Sequence, residues 1–174
     1  MSGSKTEFVL DSNPFIEAKQ RYYGFDLCPG FWKSLVDRHK SGRVCTIDRV
    51  FDELAGLGDE LTDWISDTVP DTFVKQTRDQ KVIDTFRQML GWVSSESFSP
   101  EAVTEFASVA DGWVIAYASV NKLTVVTHEG YSADAKARVP MPNVCLEFNV
   151  PYCNTFDMLR TLDTRFVLKR SRAK

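Results

Sequence analysis

Short apolar runs of strand length alternate with long stretches patterned for helix, and this alternation steers the chain toward a parallel sheet with helices packed on both faces. Phe8-Val9-Leu10 is the first run and stops at the turn residues Asp11-Ser12-Asn13-Pro14. Val44-Cys45-Thr46 is the second, and Leu123-Thr124-Val125-Val126-Thr127 carries the strongest β signal in the chain. Elsewhere apolar residues recur at helical spacing. Trp32, Leu35 and Val36, with His39, mark a helix over 31–40; Ile47, Val50, Phe51, Leu54 and Leu57 form a stripe over 47–57 that leaves Asp52 and Glu53 outside it. Leu61, Trp64 and Ile65 turn inward over 59–66, and Val82, Ile83, Phe86, Met89 and Leu90 supply the core face of a helix over 75–92. Residues 15–20 read as a helical start, and an aromatic loop over 22–30 closes at Pro29-Gly30. Thr46 is expected to cap the helix that follows it, while Ser99 and Pro100 open another as cap and first residue. Trp113 to Val120 is an apolar helix buried on most sides, with Asp111 in its first turn. Two short helices over 144–148 and 154–162 and a last strand over 166–168 complete the pattern.

A chain of 174 residues, 43% of them apolar, fills one core and is short for two, so residues 1–174 are read as a single domain with a frayed basic tail over about 169–174. Lys and Arg total 21 against 24 Asp and Glu, a net charge of -3 that gives no general attraction to polyphosphate. Nucleic-acid binding would need local basic patches. Cys28, Cys45, Cys145 and Cys153 are widely spread with no C-x-x-C pair, against both a zinc knuckle and a disulfide framework. No apolar h-region opens the chain and no run approaches the roughly 18 apolar residues of a membrane span, so a cytoplasmic protein with no membrane partner is expected.

In open parallel sheets, ligands bind beyond the carboxyl ends of the strands. Strand assignment alone places Asp11 and Glu129 there. Glu53 lies in the helix after the second strand, and Asp111 begins the apolar helix before the strand that ends near Glu129. Any one of these acids is most simply read as loop surface. Gathered together they would repel one another unless a cation were present, and a carboxylate set without neighbouring His or Cys suits magnesium or manganese. His39 reads as structural; His128 borders the acids and could touch substrate.

This order of parts resembles the PIN-domain (VapC-like) ribonuclease superfamily. The resemblance rests on Phe8-Val9-Leu10-Asp11-Ser12-Asn13, Val50-Phe51-Asp52-Glu53-Leu54, Asp111-Gly112-Trp113-Val114-Ile115-Ala116-Tyr117-Ala118 and Val125-Val126-Thr127-His128-Glu129. The segment Arg21 to Trp32, with Tyr22-Tyr23-Gly24-Phe25 and Pro29-Gly30-Phe31, is similar to a bacterial PIN-like subgroup of unassigned function. The resemblance implies a three-layer α/β/α sandwich with a central, mainly parallel sheet and an endoribonuclease dependent on Mg2+ or Mn2+. It implies that Asp11, Glu53, Asp111 and Glu129 are the catalytic and metal-holding acids, with Glu129 where the family usually has Asp and Asp134 as a weaker substitute for it. Asn13 and Thr127 match positions that orient the acids by hydrogen bonds, although ordinary turn chemistry accounts for each equally well. Many bacterial members are toxins restrained by a cognate antitoxin protein and often dimerise, so RNA, an antitoxin and a second copy of the chain are the implied partners.

Lys19, Arg21, Arg49, Lys136 and Arg138 are the candidate phosphate partners, with the cations of the 169–174 tail as auxiliaries, each also readable as solvated surface charge. Tyr22, Tyr23 and Trp32 could stack on bases or pack against their own loop. Two competitors remain at this level. A haloacid-dehalogenase-like phosphatase would also begin with Asp11, but its Asp-x-Asp pattern meets Asn13 here. A non-catalytic PIN-fold module would keep the sheet and bind protein or RNA without cutting.

Overall fold

The computed structural model describes residues 7–168. Five strands, β1 (Phe8–Leu10), β2 (Val44–Ile47), β3 (Val74–Lys75), β4 (Thr124–Val126) and β5 (Tyr152–Cys153), form one sheet in the order β3-β2-β1-β4-β5. Every pairing is parallel, with Phe8 opposite Val44 on one side of β1 and opposite Thr124 on the other. β1 and β2 are buried along their whole length. Strands covered on both faces read as continuous apolar runs rather than alternating ones, which is why three of the five stand out in the sequence. The edge strands β3 and β5 are two residues each and carry no such run.

Nine α-helices flank the strands among the described residues: α1 (Ser12–Glu17), α2 (Pro29–Lys40), α3 (Asp48–Ala55), α4 (Glu60–Asp63), α5 (Gln80–Ser95), α6 (Pro100–Ser108), α7 (Asp111–Asn121), α8 (Met141–Glu147) and α9 (Thr155–Thr161). Together they make a three-layer α/β/α sandwich. The chain winds from β1 through β2 to β3, then returns through α5, α6 and α7 to lay β4 on the other side of β1. The direction of winding therefore reverses between β1 and β4, and a crevice at the carboxyl ends of these two strands is where such folds bind ligands. α7 packs across both β1 and β4, which brings its first turn to that crevice.

Several local expectations need correction. Residues 166–168 form no strand; Phe166 instead packs on Tyr23, with ring centroids 5.6 Å apart. Thr46 does not cap α3. It is the third residue of β2, and its hydroxyl donates to the Leu10 carbonyl at 2.7 Å. Ile47 also belongs to β2, and Leu57, past the end of α3, is 47% exposed rather than part of the apolar stripe. The long helix begins at Gln80, capped by Asp79, because β3 takes Val74 and Lys75. The basic tail over 169–174 lies outside the described residues.

The aromatic loop packs inward. Tyr23 stacks on Phe31 at 4.5 Å, Phe25 stacks on Trp32 at 4.0 Å, and the Trp32 indole donates to the Tyr23 carbonyl at 2.7 Å. Tyr22 stays 49% exposed, resting edge-on against Phe156.

Candidate active site

Two pairs of neighbouring residues build the crevice. Asp11 is the first residue after β1, its N–H donating to the Val126 carbonyl of β4 at 3.1 Å, so the sheet itself fixes its backbone. Asp111 is the first residue of α7. Beside it, Gly112 lets the helix come close to its neighbours: a Cβ there would stand 2.7 Å from the Phe86 ring and 2.8 Å from the Phe106 ring. Any larger residue would push α7, and Asp111 with it, away from α5 and α6.

Glu53, on the outward face of α3, ties the two acids' segments together. The Ser12 hydroxyl and the Ala110 N–H (2.9 Å) donate to its two carboxylate oxygens, and these donors are the chain neighbours of Asp11 and Asp111. Glu129 plays a similar part on the other side, accepting from the Met141 N–H at 2.8 Å and from the Arg138 guanidinium. Both glutamates are thus engaged. Asp11 is not: it is 1% exposed, and neither of its carboxylate oxygens has a hydrogen-bond partner.

A buried carboxylate with no donor costs several kcal/mol unless it is neutralised. Burial, and after it the charge of Asp111, raise the Asp11 pKa well above its ordinary value; the Ser12 backbone N–H opposes the rise, and Glu129 and Glu53 add to it. Asp111 is pushed up to about 7 by its own burial and then by Glu129 and Glu53, while Arg138 pulls the other way. The four acids therefore lie in one field although they come from four segments of the chain.

Asp11, Glu53 and Asp111 line a cleft of about 190 Å³ together with Glu105, Ser12, Asn13 and Arg138, whereas Glu129 lines a separate pocket with Thr127 and His128. The cleft space admits a hydrated ion or a phosphate group and is less than a drug-sized ligand fills. Among the described residues, no three His, Cys, Asp or Glu side chains close on a single point. Mg2+ needs no such cage, since it keeps several waters and is commonly held by one or two carboxylates. The orphaned oxygens of Asp11 and the all-oxygen donor set fit a hard dication.

The remaining sequence candidates divide. Asn13 lines the cleft without a hydrogen bond to an acid, and the Thr127 hydroxyl accepts from the Glu129 N–H at 3.2 Å rather than touching the carboxylate. Asp134 lies away from the acids, in a surface pocket with Lys136. His128 bonds the Thr155 hydroxyl through Nε2 at 2.9 Å, and burial lowers its pKa, so it is neutral at physiological pH. His39 bridges the Val44 carbonyl and the Thr72 hydroxyl, a structural role. Lys19 pairs with Asp59, Arg21 with Glu17, and Arg49 lies 3.9 Å over the Trp113 ring. Arg138 is the one candidate cation in the cleft. Sequence reasoning missed Ser12, Glu105 and the Ala110 N–H; a hydroxyl directly following Asp11 was a signal for the first, and a backbone donor leaves none.

The sheet order, the layers and the crevice at the β1/β4 reversal define a PIN-like α/β/α protein. The chain belongs to the family described as a domain of unknown function, DUF4411, whose model matches residues 8–166. Among solved structures, FitAcB from Neisseria gonorrhoeae is similar to it with a TM-score of 0.52, covering 86% of this chain and 98% of that chain at 16% identity. At that identity the likeness concerns the fold. Among curated proteins, none matches the sequence.

Proposed function

We propose that the chain is a Mg2+- or Mn2+-dependent endoribonuclease of the PIN type that hydrolyses RNA phosphodiester bonds. The observation that carries this reading is Asp11, whose two carboxylate oxygens are buried, unpartnered and in the field of Asp111. A fold gains nothing from such an arrangement alone, and a bound dication would relieve it. Asp11 and Asp111 would hold the ion, and Glu53 and Glu129 would border it with the lone pairs their present partners leave free. When bound, a dication supplies a nucleophilic water at neutral pH and offsets the charge of the phosphate and leaving oxygen. The chain's own part is to fix the acids: β1 and the β4 carbonyl position Asp11, close packing at Gly112 seats Asp111, and Glu53 spans the two.

The role as toxin, with an antitoxin covering the acidic cleft, rests on the resemblance to the PIN superfamily. A second reading, a PIN-fold module that binds protein or RNA without cutting, is favoured by the Arg138 guanidinium already held on Glu129 and by the lack of a closed three-acid cage among the described residues. One experiment separates them. Purified protein should cleave RNA with Mn2+, lose the activity in EDTA, and fall at least about a hundredfold in the Asp11→Asn variant, because metal charge stabilisation is worth several kcal/mol. Absence of metal-dependent cleavage, or full activity in Asp11→Asn, would favour the binding module.

A further inference from the structure

We propose that Arg138 is the residue that binds the substrate phosphate, and that Glu129 aims it. This rests on the metal-nuclease reading of the same cleft. Asp11, Glu53, Glu105 and Asp111 line the cleft, and these four carboxylates with one dication leave it net negative, so an incoming phosphodiester would be repelled from the ion meant to receive it. A cation at the cleft is needed, and among the described residues that line it Arg138 alone supplies one.

Its placement is built rather than incidental. Glu129 is nearly buried and receives both the Arg138 guanidinium and the Met141 N–H, so one side chain fixes both ends of the short segment 138–141. Val139, Pro140 and Met141 are buried and hold that segment's backbone against the core. The Arg138 side chain, by contrast, is more than half exposed. A guanidinium offers five N–H donors in a planar fork, so it can keep one edge on Glu129 and present the other to a phosphate. The other candidate cations among the described residues are committed elsewhere or lie away from the cleft: Lys19 to Asp59, Arg21 to Glu17, Arg49 to the face of Trp113, and Lys136 to a separate surface pocket.

In this arrangement Glu129 is a positioning residue, which explains how a Glu can stand where an Asp would be expected to reach the ion. Its added methylene lets it reach the 138–141 segment instead.

The test pairs two affinities. A fluorescein-labelled single-stranded RNA is titrated with protein in Ca2+, its integrity checked on gels, and Mn2+ binding is measured separately by calorimetry. Arg138→Gln should weaken RNA binding at least about tenfold and flatten the log-log salt dependence by about 0.7, the slope of one lost phosphate contact on a single strand. Arg138→Lys, which keeps the charge and loses the fork, should fall between Gln and wild type. Glu129→Gln, which can still accept from Met141, should lose RNA affinity like Arg138→Gln, and by a larger factor than it loses Mn2+ affinity. Unchanged RNA affinity in Arg138→Gln would overturn the proposal, as would a Glu129→Gln variant that loses Mn2+ but keeps RNA. If wild-type protein binds no Mn2+, the metal-centre reading fails by itself, and the Arg138→Gln and Arg138→Lys affinities still decide the phosphate role.

Discussion

Replacing Asp111 by Asn should stabilise the metal-free protein at neutral and alkaline pH and leave it nearly unchanged near pH 4. In the folded chain the Asp111 carboxyl is pushed up to about 7 from 3.8, chiefly by burial and then by Glu129 and Glu53. A raised folded value means that folding favours the protonated acid. The unfolded chain releases this proton near pH 4 and the folded chain near pH 7, so stability falls across that window at about 1.4 kcal/mol per pH unit and is flat above it. The ceiling is on the order of 4 kcal/mol. Because Asp111 is partly open to solvent and shares its field with Asp11, a recovered stability of about 2 kcal/mol is the expectation. For a chain of this size that is roughly 1 M in urea midpoint or about 6 °C in Tm. Urea unfolding of both proteins in EDTA at pH 4, 6 and 8 measures it. Adding Mn2+ should reverse the order, since the ion stabilises only the protein that binds it. Equal midpoints at pH 8, or an Asn variant weaker at every pH, would refute the electrostatic reasoning.

Two further substitutions probe how the acids are held. Gly112→Ala forces a methyl group against Phe86 and Phe106 and should cost about 1–3 kcal/mol of stability in chemical denaturation, with a larger fractional loss in Mn2+ affinity than Ser108→Ala on the exposed end of α6. Ser12→Ala removes the hydroxyl that Glu53 accepts from; about 1 kcal/mol of stability and about tenfold in Mn2+ affinity by calorimetry are the expected losses.

Much of the architecture is visible in the residues themselves. β1, β2 and β4 read as strands because burial on both faces leaves them continuously apolar, and Ser99-Pro100 marks the start of α6 by its cap chemistry. Asp11 and Glu129 follow from strand ends alone. β3 and β5 escape because a two-residue strand such as Val74-Lys75 is made by its neighbour's hydrogen bonds, not by its own composition. Phe166-Val167-Leu168 fails for the opposite reason: an apolar run was present, but its lead residue packs on the aromatic loop and no strand edge receives it. At the cleft, the gathering of Asp11, Glu53 and Asp111 is legible, while Glu105 and the present partners of the acids are not. Nothing local in the sequence says that Glu53 accepts from the N–H of Ala110, or that Glu129 holds a segment that begins nine residues later, because those bonds depend on how α7 and α8 dock.

The most direct test of the metal centre is anomalous diffraction from a crystal soaked in Mn2+. A single strong peak between Asp11 and Asp111, with carboxylate oxygens at about 2.0–2.3 Å, is the expected result. A crystal with no peak there, or with manganese bound only at another group of acids, would contradict it.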